Sequence, residues 1–270
     1  MNARVFIGGH RVDAVPAGDR GLAYGDGLFE TMRAHRGEVP WWDAHWARLA
    51  LGAQRLGLAL PAPAQVREQA LSLLREDGGG VLKLQVTRGS GGRGYAPPEQ
   101  APPTWILSCH ALPAALPGLR LHWCETRLAP QPALAGLKHC NRLEQVLARR
   151  ECQAVGADEG LMRDMDGHVV SAASANLFVL RGGQWSTPPV DRCGVAGVCR
   201  AHLLSALGAR EANVSVQEIE AADALFLCNA VRGILAVARV GARAFDPHPA
   251  VDEARRALSR LHPAFAMETP

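Results

Sequence analysis

Of the 29 basic residues in this 270-residue sequence, only two are lysines, Lys83 and Lys138; the others are arginines. A guanidinium stays protonated, whereas an amine can lose its proton and attack a carbonyl carbon. Any chemistry that needs a side-chain primary amine therefore rests on one of two positions. Lys83 alternates with Leu82 and Leu84 in VLKLQVTRG and reads as the polar face of a strand. Lys138 lies in AGLKHCNRLEQVLARR, at a loop-to-helix junction. A helix N-terminus carries partial positive charge, so a merely solvated lysine fits poorly there. The spacing favours Lys138 for amine chemistry.

Two glycine-rich segments have the composition to meet an anion. RCGVAGV (192–198) is a tight loop feeding a helix from about Val198, which offers backbone N–H groups and a favourable dipole. An ordinary helix start has the same pattern, so both readings stand at this point. GSGGRG (89–94) lacks the lysine and the following helix of a phosphate cradle. It reads instead as a flexible lid, with Arg93 and Tyr95 as candidate substrate contacts. The seven cysteines are scattered and form no C-x-x-C pair, which argues for free thiols in a reducing cytoplasm and against a metal.

The elements that must position these residues are legible in outline. Strands are expected at 5–7, 28–32, 81–89 and 104–112, and helices from Asp43 as N-cap towards Pro61 and over 64–75. LPAALPG supplies a linker at 112–117 between a domain over 1–111 and a second over 118–270. In the second, Asn141 and Glu144 stand at capping-box spacing before a helix. Strands follow at EGLMRD and HVVSA, joined by an Asp166-Gly167 turn, and at NLFVL; a helix covers 198–207. DALFLCNA and GILAVARV are further strands, and a last helix spans 250–261. Helices and strands mix without strict alternation, which predicts an α+β chain of two domains. A net charge of +3 with arginines dispersed among acids argues against nucleic acid. The N-terminus lacks the apolar run of a signal peptide, and no stretch is long and apolar enough to cross a membrane.

Taken together, DRGLAYGDGLFETMR (19–33), HWARL (45–49), LKLQVTRGSGGRGY (82–95), LKHCNRLEQVLAR (137–149), ANLF (175–178), RCGVAGVCR (192–200) and LFLCNA (225–230) resemble fold type IV pyridoxal-phosphate enzymes. More narrowly, they resemble the aminodeoxychorismate lyase family, which converts 4-amino-4-deoxychorismate to 4-aminobenzoate and pyruvate in folate biosynthesis. The resemblance runs in order from about residue 4 to 240. It implies a two-domain D-amino-acid aminotransferase-like fold with a barrel-like C-terminal domain, a cytoplasmic homodimer with active sites between the domains, and pyridoxal 5′-phosphate as cofactor. By motif it makes Lys138 the Schiff-base lysine and Arg48 the partner of the cofactor phosphate. Gly197 and Val198 supply backbone amides to the same phosphate, and Asn229 and Ala230 close its pocket. Asn176, from ANLF, is a further cofactor contact.

One position departs from the pattern. Many relatives carry Glu five residues before the Asn of the ANLF motif, against the pyridine nitrogen, where this chain has Ser171. A hydroxyl leaves the ring a weaker electron sink than a carboxylate does. That handicaps transamination more than a lyase reaction, whose leaving group carries the electrons away. The K-x-x-N-R spacing ending in Arg142 points the same way. Arg93, Tyr95 and Arg142 are candidates for the substrate's carboxylates, and Thr31 for a proton relay to the leaving group. The alternatives are a branched-chain or D-amino-acid aminotransferase of the same fold, and a cofactor-binding protein without catalysis.

Overall fold

A computed structural model describes residues 3–266. The chain forms two compact units, one of Met1–Leu112 with Leu137–Asn141, the other of Pro113–Gly136 with Arg142–Pro270. The linker expected at 112–117 therefore begins where the first unit ends, but the division is not a single cut. Residues 137–141 return to the first unit because their backbone pairs with a strand there, a long-range contact that composition does not reveal.

In the first unit, β1 (Ala3–Ile7), β2 (His10–Val12), α1 (Arg20–Tyr24), β3 (Gly27–Arg33), α2 (Trp42–Leu56), α3 (Pro63–Asp77), β4 (Val81–Thr87) and β5 (Thr104–His110) follow in order. The strands form an antiparallel sheet in the order β2-β1-β5-β4-β3. Period-two alternation sends Leu28, Glu30 and Met32 of β3 to one side, where they are buried, and leaves Phe29 and Thr31 half-buried on the other. Leu49, Ala53, Val66, Ala70 and Leu73 of the two long helices pack in one core with Leu28, Met32, Leu82, Leu84 and Leu107 of the sheet. Each such large side chain contributes about 1.5–3 kcal/mol by leaving water.

Helix α2 starts differently from expectation. Asp43 is not its N-cap: Trp41 holds that position with a left-handed φ of 56° and no side-chain cap, and Asp43 sits in the first turn. There its charge still complements the helix dipole. Gly57, also left-handed, ends the helix well before Pro61.

Strand β3 is the sheet's edge, and residues 138–140 run along it. The Phe29 N–H donates to the Lys138 carbonyl and the Cys140 N–H to the Gly27 carbonyl, both at 2.9 Å. The Asn141 side chain donates to the Gly25 carbonyl at 3.0 Å. Gly25 has a φ of 67°, and a Cβ there would stand 2.7 Å from the Asn141 Oδ1, so both backbone and space require glycine. Asn141 is thus not a helix cap.

The second unit contains β6 (Leu119–Trp123), α4 (Leu143–Ala154), β7 (Glu159–Arg163), β8 (Val169–Ala172), β9 (Asn176–Arg181), β10 (Gln184–Thr187), α5 (Val198–Ala206), β11 (Arg210–Glu211), α6 (Val216–Glu220), β12 (Ala224–Asn229), β13 (Gly233–Val240), β14 (Arg243–Ala244) and α7 (Pro249–Leu261). Its curled sheet runs β11-β10-β9-β12-β13-β6-β7-β8, with β14 on β13. The pairings β13·β6 and β6·β7 are parallel, so the sheet is mixed. Helix α4 has Arg142 as N-cap, whose side chain does not cap the helix, and Glu144 instead accepts from the Ala129 N–H at 2.8 Å. The capping box expected there occurs at Ser215 and Glu218, opening α6. Among the described residues no helix is long and apolar enough to cross a membrane.

Candidate active site

In the first unit the Lys138 amine lies 4.2 Å from the centroid of the Phe29 ring. Lys83 reaches the same ring at 5.4 Å, and it pairs in register with Thr31. Lys83 is therefore not merely the polar face of a strand: both side-chain amines of the protein meet one aromatic surface, on the side of β3 that also bears Thr31. The period-two spacing of Phe29, Thr31 and Lys83 across β3 and β4 was the available sign.

Arg48 is reached from the other side of β3. Its Nε donates to the Glu30 Oε1 at 2.8 Å and its Nη2 to the Glu30 Oε2 at 2.5 Å, a two-pronged pair. The His45 Nδ1 also meets the Glu30 Oε2, at 2.6 Å. His45 and Arg48 stand one turn apart on α2, so one helix face presents both to the carboxylate. Burial by itself would push the Glu30 carboxyl up. The hydrogen bond from His45 and the charge and hydrogen bonds of Arg48 outweigh it and hold the group below its usual range. The sequence reading missed Glu30 and His45, although both lie inside the motifs FETMR and HWARL.

The glycine-rich segment at 89–94 is not a loose lid along its whole length. The buried Arg20 guanidinium donates to the carbonyls of Gly94, Tyr95 and Ala96 at 2.8–3.3 Å and to Asp26 at 2.9 Å. Asp26 also binds Arg88 at 2.7 Å. Burial raises the Asp26 carboxyl, but Arg88 and Arg20 together hold it below its usual range. The Arg93 and Tyr95 side chains remain exposed, with the Tyr95 ring 5.5 Å from that of Tyr24.

In the second unit, the other expected cofactor residues gather at one end of β9 and β12. Asn176 opens β9 and donates to the Val195 carbonyl at 2.9 Å. Cys228 pairs with Asn176, which sets the next residues, Asn229 and Ala230, beside it. The Asn229 Oδ1 accepts the N–H groups of Val231 and Arg232, shaping the turn beyond β12. Ser171 is buried on β8, a short turn before β9. Gly197 is the N-cap of α5, which has no side-chain cap. A Cβ at 197 would stand 2.0 Å from the Asn176 Oδ1, so only glycine brings the helix start this close. Val198 opens the helix and is buried. An uncapped helix start behind a glycine, held by an asparagine, is suited to an anion. Arg142 is half-buried at the start of α4.

Asp164, Asp166 and His168 also converge, but their turn is knit internally. The Asp164 Oδ1 accepts two backbone N–H groups, and Arg192 pairs with Asp166 at 2.7 Å.

The sequence matches the family described as amino-transferase class IV over residues 27–240. An aminodeoxychorismate lyase of Vibrio harveyi is 34% identical over 238 residues, 84% of this chain and 88% of that protein. A putative branched-chain-amino-acid aminotransferase of Methanocaldococcus jannaschii is 29% identical over 260 residues, 90% of each. Among solved structures, the 4-amino-4-deoxychorismate lyase of Pseudomonas aeruginosa is 42% identical, with a TM-score of 0.87 over 95% of this chain and 98% of that one.

Proposed function

The chain belongs to the class IV aminotransferase family, and from that premise we propose that it is a pyridoxal 5′-phosphate-dependent lyase that splits 4-amino-4-deoxychorismate into 4-aminobenzoate and pyruvate. The observation that carries this reading is the Lys138 amine, half-buried over Phe29, in a chain more similar to two aminodeoxychorismate lyases than to its aminotransferase relative.

The donor set fits the cofactor. An amine, a guanidinium and an uncapped helix start behind an obligatory glycine are the groups that an aldehyde and a phosphate require. When bound, the cofactor supplies an electron sink for the bond broken beside the amine-bearing carbon of the substrate. Lys138 would be the residue that holds it covalently, and its amine would take the proton from that carbon. Thr31, on the Phe29 face of β3, relays a proton to the departing group. Arg48, the N–H groups of Gly197 and Val198, and the Asn229-Ala230 turn hold the phosphate, while Asn176 fixes the 195–198 loop. Ser171 would face the ring nitrogen. Its hydroxyl leaves the ring a modest sink, which suffices where the leaving group removes the electrons and aromatisation drives the reaction. Arg93, Tyr95 and Arg142 bind the substrate's carboxylates.

The enzyme works as a homodimer in the cytoplasm. Leu143, Val146 and Leu147 of α4, exposed at helical spacing, support a second copy covering that face, and seven free cysteines support a reducing compartment. The test is 4-aminobenzoate release from 4-amino-4-deoxychorismate by the purified, cofactor-loaded protein. Amino-group exchange between an amino acid and a 2-oxo acid without any 4-aminobenzoate would overturn the reading.

A further inference from the structure

Glu30 is a charged residue in a place where the fold has no need of one. It sits between Leu28 and Met32 on the core side of β3, with its side chain only 2% exposed. A buried carboxylate costs several kcal/mol in lost hydration unless it is well paired, and a packed apolar side chain usually serves stability as well. Its partners lie on α2: the Nε and Nη2 of Arg48, and the Nδ1 of His45. Because the carboxylate is ionised, the bond from His45 requires a proton on Nδ1. His45 is itself buried and lines a small apolar pocket with Met32, Trp42, Trp46, Leu49 and Leu84. Its other ring nitrogen, Nε2, is buried and finds no hydrogen-bond partner among the described residues. That orphaned nitrogen is a further cost, so the arrangement is not explained by stability.

The geometry does explain a function in orientation. A carboxylate that accepts two parallel N–H bonds fixes the plane of a guanidinium and turns its opposite edge away. Arg48 would otherwise be a long side chain with several rotatable bonds, and ordering such a chain at the moment of binding weakens affinity. We propose that Glu30, itself oriented by His45, is the positioning residue of Arg48 and thereby sets the affinity of the protein for the phosphate group of its cofactor. This rests on the reading of Arg48 as the phosphate-binding arginine. It extends that reading to two residues that need not touch the cofactor, as outer partners hold the inner ligands of other anion and metal sites.

The experiment compares two ligands on the full chain freed of cofactor: pyridoxal 5′-phosphate, and pyridoxal, which lacks the phosphate. Binding is read from the absorbance of the bound ligand in wild type, Arg48→Ala, Glu30→Gln, His45→Leu and His45→Asn. Gln cannot accept both arginine N–H groups, Leu removes the histidine bond, and the Asn amide can replace the Nδ1 donor. The expected result is that Glu30→Gln and His45→Leu weaken pyridoxal 5′-phosphate about tenfold or more while pyridoxal changes less than about twofold, with His45→Asn recovering most of the loss. A merely structural role would move both ligands together, and that outcome overturns the proposal. So does an unchanged phosphate preference in Glu30→Gln and His45→Leu while Arg48→Ala loses it, a result that leaves the Arg48 reading intact. If Arg48→Ala itself retains the full preference for the phosphorylated ligand, the premise and the proposal fall together. Should Glu30→Gln not fold, the two His45 variants decide the question, since they leave the Arg48–Glu30 pair in place.

Discussion

Lys138 and Phe29 are joined twice: the Phe29 N–H donates to the Lys138 carbonyl at 2.9 Å, and the Lys138 amine lies 4.2 Å from the centre of the Phe29 ring. The backbone bond fixes where the residue starts, and the ring fixes where its side chain ends.

Lys138→Arg keeps the charge and the stacking surface but removes the amine. It is expected to fold with a melting temperature near wild type, to abolish lyase activity and to lose the visible absorption of the bound cofactor. Borohydride reduction of the loaded wild type followed by peptide mass spectrometry should label Lys138 and not Lys83. Label on Lys83 would reassign the chemistry to the second amine over the same ring.

Arg20 ties down the backbone at 94–96 and shares Asp26 with Arg88. Removing one partner of a buried pair costs about 3–5 kcal/mol, lessened here because Arg88 still neutralises Asp26. Arg20→Ala should therefore lower stability in urea by a few kcal/mol. It should also make the 89–96 segment the first site of limited proteolysis. Cleavage elsewhere first would mean that the segment is held by something other than the guanidinium.

Gly197→Ala places a methyl group against the Asn176 side chain, where the Cβ would stand at 2.0 Å. Relief requires the start of α5 to move or Asn176 to release the Val195 carbonyl. The expected outcome is a loss of about 1–3 kcal/mol in stability together with weaker cofactor binding. A variant with wild-type affinity for pyridoxal 5′-phosphate would show that the helix start does not carry the phosphate.

Glu30 binds its proton less readily folded than unfolded, where its ordinary value is 4.5. Its stabilising contribution is therefore fully present above that value and is lost as the pH falls through the lower folded value. Below the ordinary value the unfolded chain takes up the proton first, so stability drops with acid. Denaturant unfolding from pH 7 down to about pH 3 should give a steeper acid decline in wild type than in Glu30→Gln. Parallel curves would exclude Glu30 as a source of that decline.

Much of the candidate site is legible in the sequence because its residues sit in contiguous motifs. Lys138 stood out by rarity, and the helix start at Val198 by its glycine-rich approach. What stayed hidden depends on partners far away in the chain. Asn141 looked like a cap for the helix beside it, yet its side chain serves Gly25, 116 residues earlier. Glu30 occupied a strand position with the alternation of a core residue, and only the face of α2 explains why a charge is tolerated there. Arg20 was one arginine among 27 until its carbonyl partners were visible.

The lysine-bearing segment also shields a vulnerable edge. β3 is the outer strand of its sheet, and an uncovered edge of unpaired N–H and C=O groups invites other chains to pair with it. Residues 138–140 occupy that edge, although the chain on either side of 137–141 belongs to the other unit. A nascent chain that has released only its first 112 residues still exposes this strand, and the segment that protects it against aggregation is the one that carries Lys138. Covering the edge of the sheet and setting Lys138 over Phe29 are therefore the work of one segment.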